Sequence, residues 1–220
     1  MPRRRDTDRF LHERVLFASS IKRVAGVDEA GRGPLAGPVV AAAVILPRSW
    51  VLEGIPDEFA DLNDSKQLTE VQRDRFFAGL TGDPAVRYAI AAVEPSVIDE
   101  INILQATHRA MNQALADLGD DVDHALVDGR PVRSLRWPQT ALVKGDSLSY
   151  SIAAASVLAK VTRDRVMREA DAKWPGYGFA GHKGYPTPEH LEAVARLGPC
   201  PIHRLSFAPL RRPEPELFPT

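Results

Sequence analysis

The chain has 220 residues, of which 44% are hydrophobic and 26% charged, and its formal net charge is −1 at pH 7. This composition is ordinary for one globular domain, or one domain with an appendage, and no apolar run is long enough to cross a bilayer. The near-neutral balance argues against a uniformly basic nucleic-acid binder, so local charge clusters matter more. Three basic clusters stand out: Arg130, Arg133 and Arg136; Lys160, Arg163, Arg165 and Arg168; and His203, Arg204, Arg211 and Arg212.

Cysteine usage and the N-terminal segment bear on the compartment. Cys200 is the only cysteine, so no intramolecular disulfide can form, which fits a reducing environment. Residues 1–6 are basic but lack the apolar stretch of a secretory signal. We therefore expect a cytoplasmic protein with no membrane association, and we expect a monomer.

The first half of the chain alternates between strand-like and helix-like segments. An N-terminal helix or arm is predicted over residues 1–20, and strands are predicted at 23–28, 38–46 and 86–93. Thr69 and Gln72 form a capping-box pattern that predicts a helix to about residue 80. Ser96 and Asp99 have the same spacing and predict a long helix, which Gly119 ends.

The second half continues this alternation. Strands are predicted at 125–128 and 140–144, followed by a long helix over 147–172 and a shorter helix from Pro188. The small residues of the long helix predict close packing against a sheet. The order indicates an α/β fold with a mixed central sheet flanked by helices. We predict an arm at 1–20, a core at 21–172 and a helical, partly irregular appendage at 173–220.

Acids directly follow apolar, strand-like runs at three places in the chain. In open α/β sheets, binding sites form outside the strand ends, so we expect these acids to converge. Carboxylates at close range raise one another's pKa, and two divalent cations would relieve this repulsion and support in-line displacement at phosphorus. Oxygen ligands of this kind favour Mg²⁺ or Mn²⁺. The four acids are Asp28, Glu29, Asp128 and Asp146.

Each of these acids also has a simpler explanation. Adjacent strand residues point to opposite faces, so Asp28 and Glu29 can share a site only if the chain bends there. Asp146 could be a helix N-cap, a role that is compatible with metal binding. Asp128 and the following glycine could form a turn.

A glycine-flanked arginine follows the first acid pair. Gly31 and Gly33 permit close backbone approach to a ligand, and Arg32 between them suits phosphate. Residues 31–36 also fit a dinucleotide-binding fingerprint, but that motif requires a helix immediately afterwards, whereas a strand-like run follows here. A plain hairpin with exposed acids is the remaining alternative.

Taken in order, these motifs resemble those of bacterial ribonuclease HII, the type 2 ribonuclease H. The matching segments are VDEAGRGPLAGPV at 27–39, DSKQL at 64–68, VDG at 127–129, KGDS at 144–147, AAASVLAKVTRD at 153–164, HKGYPT at 182–187 and HRLSF at 203–207. The sister type 3 family lacks the glycine-arginine-glycine loop and carries an extra N-terminal domain. This chain has the glycine-arginine-glycine loop at residues 31–33 and only about twenty residues before its first predicted strand. The resemblance, which runs from about residue 21 to 210, is therefore to the type 2 enzymes.

This resemblance implies a ribonuclease H-like fold and hydrolysis of the RNA strand of RNA–DNA hybrids. It also implies incision 5′ of single ribonucleotides embedded in duplex DNA, by a two-metal mechanism that leaves 5′-phosphate and 3′-hydroxyl ends. The family's catalytic, metal-binding acids fall on Asp28, Glu29, Asp128 and Asp146. The substrate-binding residues carried over, or expected beside them, are Gly31, Arg32, Gly33, Lys66, Ser156, Lys160, Arg163 and Tyr185.

Elementary chemistry supports parts of this assignment. The 2′-hydroxyl distinguishes RNA from DNA, and reading it requires backbone at contact distance, which glycine permits. Tyr185 could stack on a deoxyribose or base, or it could be a surface tyrosine in a turn. Lys160 and Arg163 lie on one helical face and are expected to contact phosphate, the alternative being ordinary solvated charges.

Two competing functions remain at this point. A non-catalytic nucleic-acid binder with this fold would have no need for clustered acids near phosphates. A DNA-only nuclease or recombinase would have no need for a loop that reads a 2′-hydroxyl. The sequence therefore favours a metal-dependent endoribonuclease that acts on nucleic acid.

Overall fold

The structure is a computed structural model that describes residues 8–119 and 122–211. The helices are α1 Leu11–Ala18, α2 Arg48–Glu53, α3 Glu70–Gly82, α4 Pro95–Asp117, α5 Gly145–Leu148, α6 Tyr150–Lys173, α7 Phe179–His182 and α8 Pro188–Leu197. The strands are β1 Val24–Ala30, β2 Val39–Ile45, β3 Arg87–Val93, β4 His124–Asp128 and β5 Gln139–Leu142. All five predicted strands are present. The predicted N-terminal helix is confirmed as α1, while residues 1–7 and 212–220 lie outside the described part.

The five strands form one mixed sheet in the order β3-β2-β1-β4-β5. Strand β2 is antiparallel to both of its neighbours, whereas β1, β4 and β5 run parallel to one another. Parallel strands end at the same edge of a sheet, so the acids that follow β1 and β4 are brought to one edge. This architecture confirms the predicted α/β fold with a mixed sheet between helices.

Helices cover both faces of the sheet. α6 packs on one face together with side chains of α2 and α3, and α4 packs on the other. At Gly26 of β1, a Cβ atom would lie 2.1 Å from the carbonyl carbon of Ser151, so strand and helix backbones touch there. The close packing predicted from the small residues of α6 is confirmed. Among the described residues, no helix is both long enough and apolar enough to cross a membrane.

Two predicted helix boundaries are wrong. α4 begins at Pro95 after Glu94 and has no side-chain cap, because Asp99 instead accepts hydrogen bonds from Ser206 and from the backbone of Leu205. The helix predicted over 147–172 is divided at Ser149, whose side chain caps α6. The capping box that starts α3 is confirmed in full.

Candidate active site

Three acids converge at the edge of the sheet where β1 and β4 end. One carboxylate oxygen from each of Asp28, Asp128 and Asp146 lies within 4.8 Å of the other two. The backbone N–H of Gly145 donates to Oδ1 of Asp128 at 2.7 Å. This bond fixes the turn that carries Asp146 against the end of β4. Asp146 is not the N-cap of a helix, because it lies in the first turn of α5.

Glu29 lies outside this set of three. β1 continues without a bend through both acids, with Asp28 opposite Ala42 and Glu29 opposite Ala41 in the ladder with β2. Their side chains therefore point to opposite faces of the sheet. The Glu29 carboxylate accepts a hydrogen bond from Arg32 at 3.2 Å on the α4 side. The described strand has no bend between the two acids, but Glu29 lines a cavity together with Asp128 on the α4 side, so Glu29 can share a site with Asp128 without that bend.

Burial and mutual repulsion disfavour charge in this cluster. Burial, followed by the charges of Glu29 and Asp128, raises the pKa of Asp28 well above its usual value. Burial, followed by the charges of Asp64 and Asp128, raises the pKa of Asp146 to about 6. Burial also raises the pKa of Glu29, against the opposing effect of Arg32. Carboxylates held in this way favour a cation as a partner.

The donor set of this site fits a hard divalent cation. Three carboxylate oxygens lie within 4.8 Å of one another, and oxygen ligands are those that Mg²⁺ and Mn²⁺ prefer. Within residues 8–119 and 122–211, this is the one convergent group of three or more acid, histidine or cysteine side chains.

The loop before α3 places a lysine and a further acid beside the cluster. Lys66 is exposed, and although burial acts to lower its pKa, the charges of Asp64, Asp28 and Asp146 raise it. Asp64 hydrogen-bonds with Asp146 and accepts a hydrogen bond from the backbone of Lys66 at 2.9 Å. Sequence reasoning missed Asp64, although it begins the segment that matched the family.

Arg9 was also missed, because nothing in the sequence marks it. Its guanidinium donates to the backbone carbonyl of Asp146 at 2.7 Å and to that of Leu62. The same group lies 4.2 Å from the ring centre of Tyr150. The segment before α1 therefore holds the loop that carries Asp146 close to the loop that leads to Asp64.

Ser156, which was expected to contact substrate, lies buried beside the acid cluster. Its hydroxyl is buried, lies 2.9 Å from the hydroxyl of Ser65 and donates to the carboxylate of Asp28. A hydroxyl enclosed in this way supports an acid, and contact of Ser156 with substrate stays a prediction. Lys160, one turn further along α6, forms an ion pair with Asp164 at 2.7 Å.

Arg163, which was expected to contact phosphate, lies buried among backbone carbonyls. Its side chain is 1% exposed and donates to the carbonyls of Ala36, Pro38 and Lys183, each at 3.0 Å. Because its hydrogen bonds are directed at the chain itself, Arg163 supports the backbone around the glycine-arginine-glycine loop.

Arg204 completes this support from the C-terminal segment. It is 0% exposed and donates to the carbonyls of Gly31, Arg32 and Gly37 at 2.6 to 3.0 Å. Burial, followed by repulsion from Arg163, lowers the pKa of Arg204 to about 9. We call residues 31–38 with these two arginines the clamped loop.

The two glycines of the clamped loop have different environments. Gly31 has φ +94°, and a Cβ atom there would lie 2.1 Å from Nε of Arg163. Gly33 is open, since its Cβ position meets only Cε1 of Tyr185, at 3.7 Å. Gly31 is therefore required by the fold, whereas Gly33 faces free space beside an aromatic ring that is 43% exposed.

Histidines pack beneath the segment that carries Tyr185. The Nε2 atoms of His190 and His203 are 3.1 Å apart, and Nδ1 of His190 donates to the carbonyl of Tyr185 at 2.9 Å. The backbone N–H of Cys200 donates to Nδ1 of His203. Burial lowers the pKa of His203 to about 4, which keeps this ring neutral.

A mixed five-stranded sheet with carboxylates at the shared end of its parallel strands defines a metal-dependent nuclease of the ribonuclease H-like class. A sequence profile described as ribonuclease HII matches residues 25–210. The chain therefore belongs to the ribonuclease HII family, whose members are metal-dependent ribonucleases H that act on RNA–DNA hybrids.

Individual relatives agree with this assignment. The chain is 53% identical over 195 residues to the ribonuclease HII of Ruminiclostridium cellulolyticum, covering 89% of this chain and 73% of the relative. It is 53% identical over 200 residues to that of Geobacillus kaustophilus, covering 91% and 74%. The crystal structure of the ribonuclease H2 from Pyrococcus horikoshii OT3 is similar with a TM-score of 0.70 and 29% identity, covering 86% of this chain and 96% of that one.

Proposed function

We propose that this ribonuclease H incises duplex DNA on the 5′ side of a single embedded ribonucleotide, leaving 5′-phosphate and 3′-hydroxyl ends. The observation that carries the proposal is the open backbone of Gly33, where an added Cβ atom would meet only Cε1 of the exposed Tyr185 ring, at 3.7 Å. A sugar lying over this part of the surface would meet bare backbone at Gly33 and, next to it, the aromatic ring of Tyr185. Backbone at contact distance can read a 2′-hydroxyl, the group that distinguishes RNA from DNA.

The acids would hold the metal ions. Asp28, Glu29, Asp128 and Asp146 are the proposed ligands for two Mg²⁺ or Mn²⁺ ions. When bound, such ions stabilise the charge on the attacking and leaving oxygens of an in-line displacement. The backbone N–H of Gly145 orients one oxygen of Asp128 and leaves the other free for a cation.

Basic side chains around the acids would orient the substrate phosphates. Lys66 is exposed beside the cluster, where its ammonium can offset the charge of a phosphate. Half of the Arg32 side chain is exposed, so its guanidinium can leave the ion pair with Glu29 and bind a phosphate instead. The planar guanidinium group is well suited to phosphate oxygens. Tyr185 would stack on the following deoxynucleotide and so sense the RNA–DNA junction.

The test is incubation of the protein with a DNA duplex that carries one ribonucleotide, with Mg²⁺, Mn²⁺ or EDTA. We expect one cut 5′ of the ribonucleotide, only with added metal, and products with 5′-phosphate and 3′-hydroxyl ends. A 2′,3′-cyclic phosphate would show attack by the ribose itself and would refute the mechanism.

Junction sensing is tested by replacing Tyr185. We expect Tyr185→Ala to slow incision at a single ribonucleotide more than cleavage of a long hybrid, because one stacking contact contributes about 1–3 kcal/mol. Tyr185→Phe keeps the ring and should retain the wild-type preference. Equal relative rates for Tyr185→Ala on both substrates would place junction sensing elsewhere.

A further inference from the structure

A groove opens beside the acids on the face of the sheet that α4 covers. A cavity of about 690 Å³ includes the acids Glu29 and Asp128 in its lining. A second hollow of about 570 Å³ adjoins it, since both are lined by Gln105, His108 and Ser134. We call the two together the α4 groove. Its basic residues are Arg32, His108, Arg109, Arg130, Arg133 and Arg136.

The α4 groove is strongly basic in a chain whose net charge is −1. Five arginines line it, against two carboxylates, and both carboxylates belong to the proposed metal site. Burial, followed by repulsion from Arg32, lowers the pKa of His108 inside the groove. The groove therefore has the charge that a polyanion requires.

Three of these arginines have no acid partner in the part of the chain that the structure describes. In the described ranges 8–119 and 122–211, no carboxylate pairs with Arg130, Arg133 or Arg136, and all three side chains are exposed. On the opposite face of the sheet, by contrast, Arg165 pairs with Asp74. Unpaired guanidinium groups that surround a cavity are available to a ligand.

The segment that carries the three arginines is hydrogen-bonded to β5 and to α4. Val132 is buried, and its backbone exchanges two hydrogen bonds of 2.8 Å with the side-chain amide of Gln139. The backbone N–H of Arg136 donates to Asn112 of α4. These hydrogen bonds tie the segment to β5 and α4, and a segment that is tied down in this way has a lower entropic cost of binding.

We propose that the α4 groove binds the sugar–phosphate backbone of the substrate duplex beyond the incised bond, without regard to base sequence. The groove begins at Glu29 and Asp128, so a strand whose phosphate lies at the acids can continue along it. Guanidinium groups suit phosphate oxygens, and phosphate contacts position a duplex without reading its bases. This inference rests on the proposed function only in taking the acids as the point of incision.

The experiment measures binding without cleavage. A fluorescently labelled duplex with one ribonucleotide is titrated with protein in EDTA, by anisotropy, over a series of salt concentrations. A second duplex of the same sequence contains DNA only. For the variant Arg130→Gln/Arg133→Gln/Arg136→Gln, we expect the slope of log K against log salt to become shallower by about 0.9 for each phosphate that the groove no longer neutralises. The change should be equal on both duplexes, because the backbone is common to them.

Two control variants separate phosphate binding from other effects. Replacing the same three arginines with lysine keeps the charge and should keep most of the salt slope. Arg48→Gln/Arg75→Gln/Arg165→Gln removes the same charge from helices on the opposite face and should leave the slope unchanged.

Several results would overturn the inference. They are an unchanged slope in the glutamine variant of the groove, an equal change in the opposite-face variant, a weakening confined to the ribonucleotide duplex, or a weakening that lysine does not restore. Because binding is measured in EDTA, these results are independent of whether the wild type incises 5′ of a ribonucleotide. Failure of the groove and failure of the proposed function are therefore distinguishable.

Discussion

The acid cluster and the clamped loop lie at the same end of the molecule and are both buried and polar, yet they are built in opposite ways. In the acid cluster, burial and repulsion raise the pKa of Asp28 and Asp146. In the clamped loop, Arg163 and Arg204 direct their hydrogen bonds at backbone carbonyls. Buried arginines that donate hydrogen bonds to backbone carbonyls stabilise the fold. Buried carboxylates that repel one another instead require a bound cation.

The largest expected effect comes from removing one acid. Asp128→Asn should reduce cleavage of an RNA–DNA hybrid by more than about 100-fold, since losing a metal ligand exceeds the 10–100-fold cost of losing an outer-shell partner. Its free energy of unfolding in EDTA should be unchanged or higher, because repulsion is relieved. Activity assays and denaturant unfolding check both statements. A large loss of stability would mean that this acid serves the fold.

The clamped loop should respond in the opposite manner. Arg204→Met leaves the carbonyls of Gly31, Arg32 and Gly37 without their donor, and an unsatisfied buried group costs about 1–3 kcal/mol. We expect a loss of at least about 3 kcal/mol in unfolding free energy. Arg196→Met, which removes an exposed arginine from α8, is the control and should have little effect. Similar stabilities for the two variants would contradict the comparison.

The unfolding free energy should change with pH in opposite directions for the acid cluster and for the histidine beneath the clamped loop. The pKa of Asp146 is raised to about 6 in the folded state, so in EDTA its contribution to stability is lost as pH rises from about 4 to 6. The pKa of His203, beneath the clamped loop, is lowered to about 4. Its contribution is present above about pH 6.5 and is lost as pH falls toward 4, by about 3 kcal/mol at most.

Unfolding free energies measured from pH 4 to 8 in EDTA test these signs. In the wild type, Asp146 should make the unfolding free energy fall as pH rises from about 4 to 6, and Asp146→Asn should remove this fall. His203 should make the unfolding free energy rise as pH rises from about 4 to 6.5, and His203→Gln should remove this rise. Parallel profiles for the wild type and both variants would show that neither group is linked to folding in the expected direction.

The smallest expected effect distinguishes two glycines of one loop. Gly31→Ala should cost about 1–3 kcal/mol of stability, because its φ is strained for other residues and Arg163 occupies the Cβ position. Gly33→Ala should change stability by less than about 0.5 kcal/mol, because its Cβ position is open. Its effect should instead appear in the relative rates on ribonucleotide-containing and all-hybrid duplexes. Equal destabilisation by both substitutions would contradict this difference.

Much of the fold could be predicted because its strands and helix starts depend on short stretches of sequence. Apolar runs marked all five strands, and the spacing of Thr69 and Gln72 marked the start of α3. The start of α4 was missed because Asp99, which has the spacing of a capping residue, is used by a segment more than a hundred residues away. Tertiary contacts of this kind leave no local signal.

The candidate site was predictable in its residue types more than in its geometry. Acids at strand ends identified Asp28, Asp128 and Asp146, since topology alone brings such ends together. Strand alternation kept Glu29 on the other face, where it pairs with Arg32. Arg163 could not be distinguished from an exposed phosphate ligand, because helical spacing does not reveal which carbonyls lie opposite it.

The long sequence separation between the clamped loop and Arg204 has a consequence for protein synthesis. Residues 31–37 leave the ribosome early, but the side chain that binds three of their carbonyls is made more than 160 residues later. Domains are synthesised from the N-terminus at about 5–20 residues per second, so this loop waits on the order of ten seconds or more for its partner. During synthesis, all the acids of the cluster are therefore in the chain before Arg204, which the clamped loop needs to reach its final conformation.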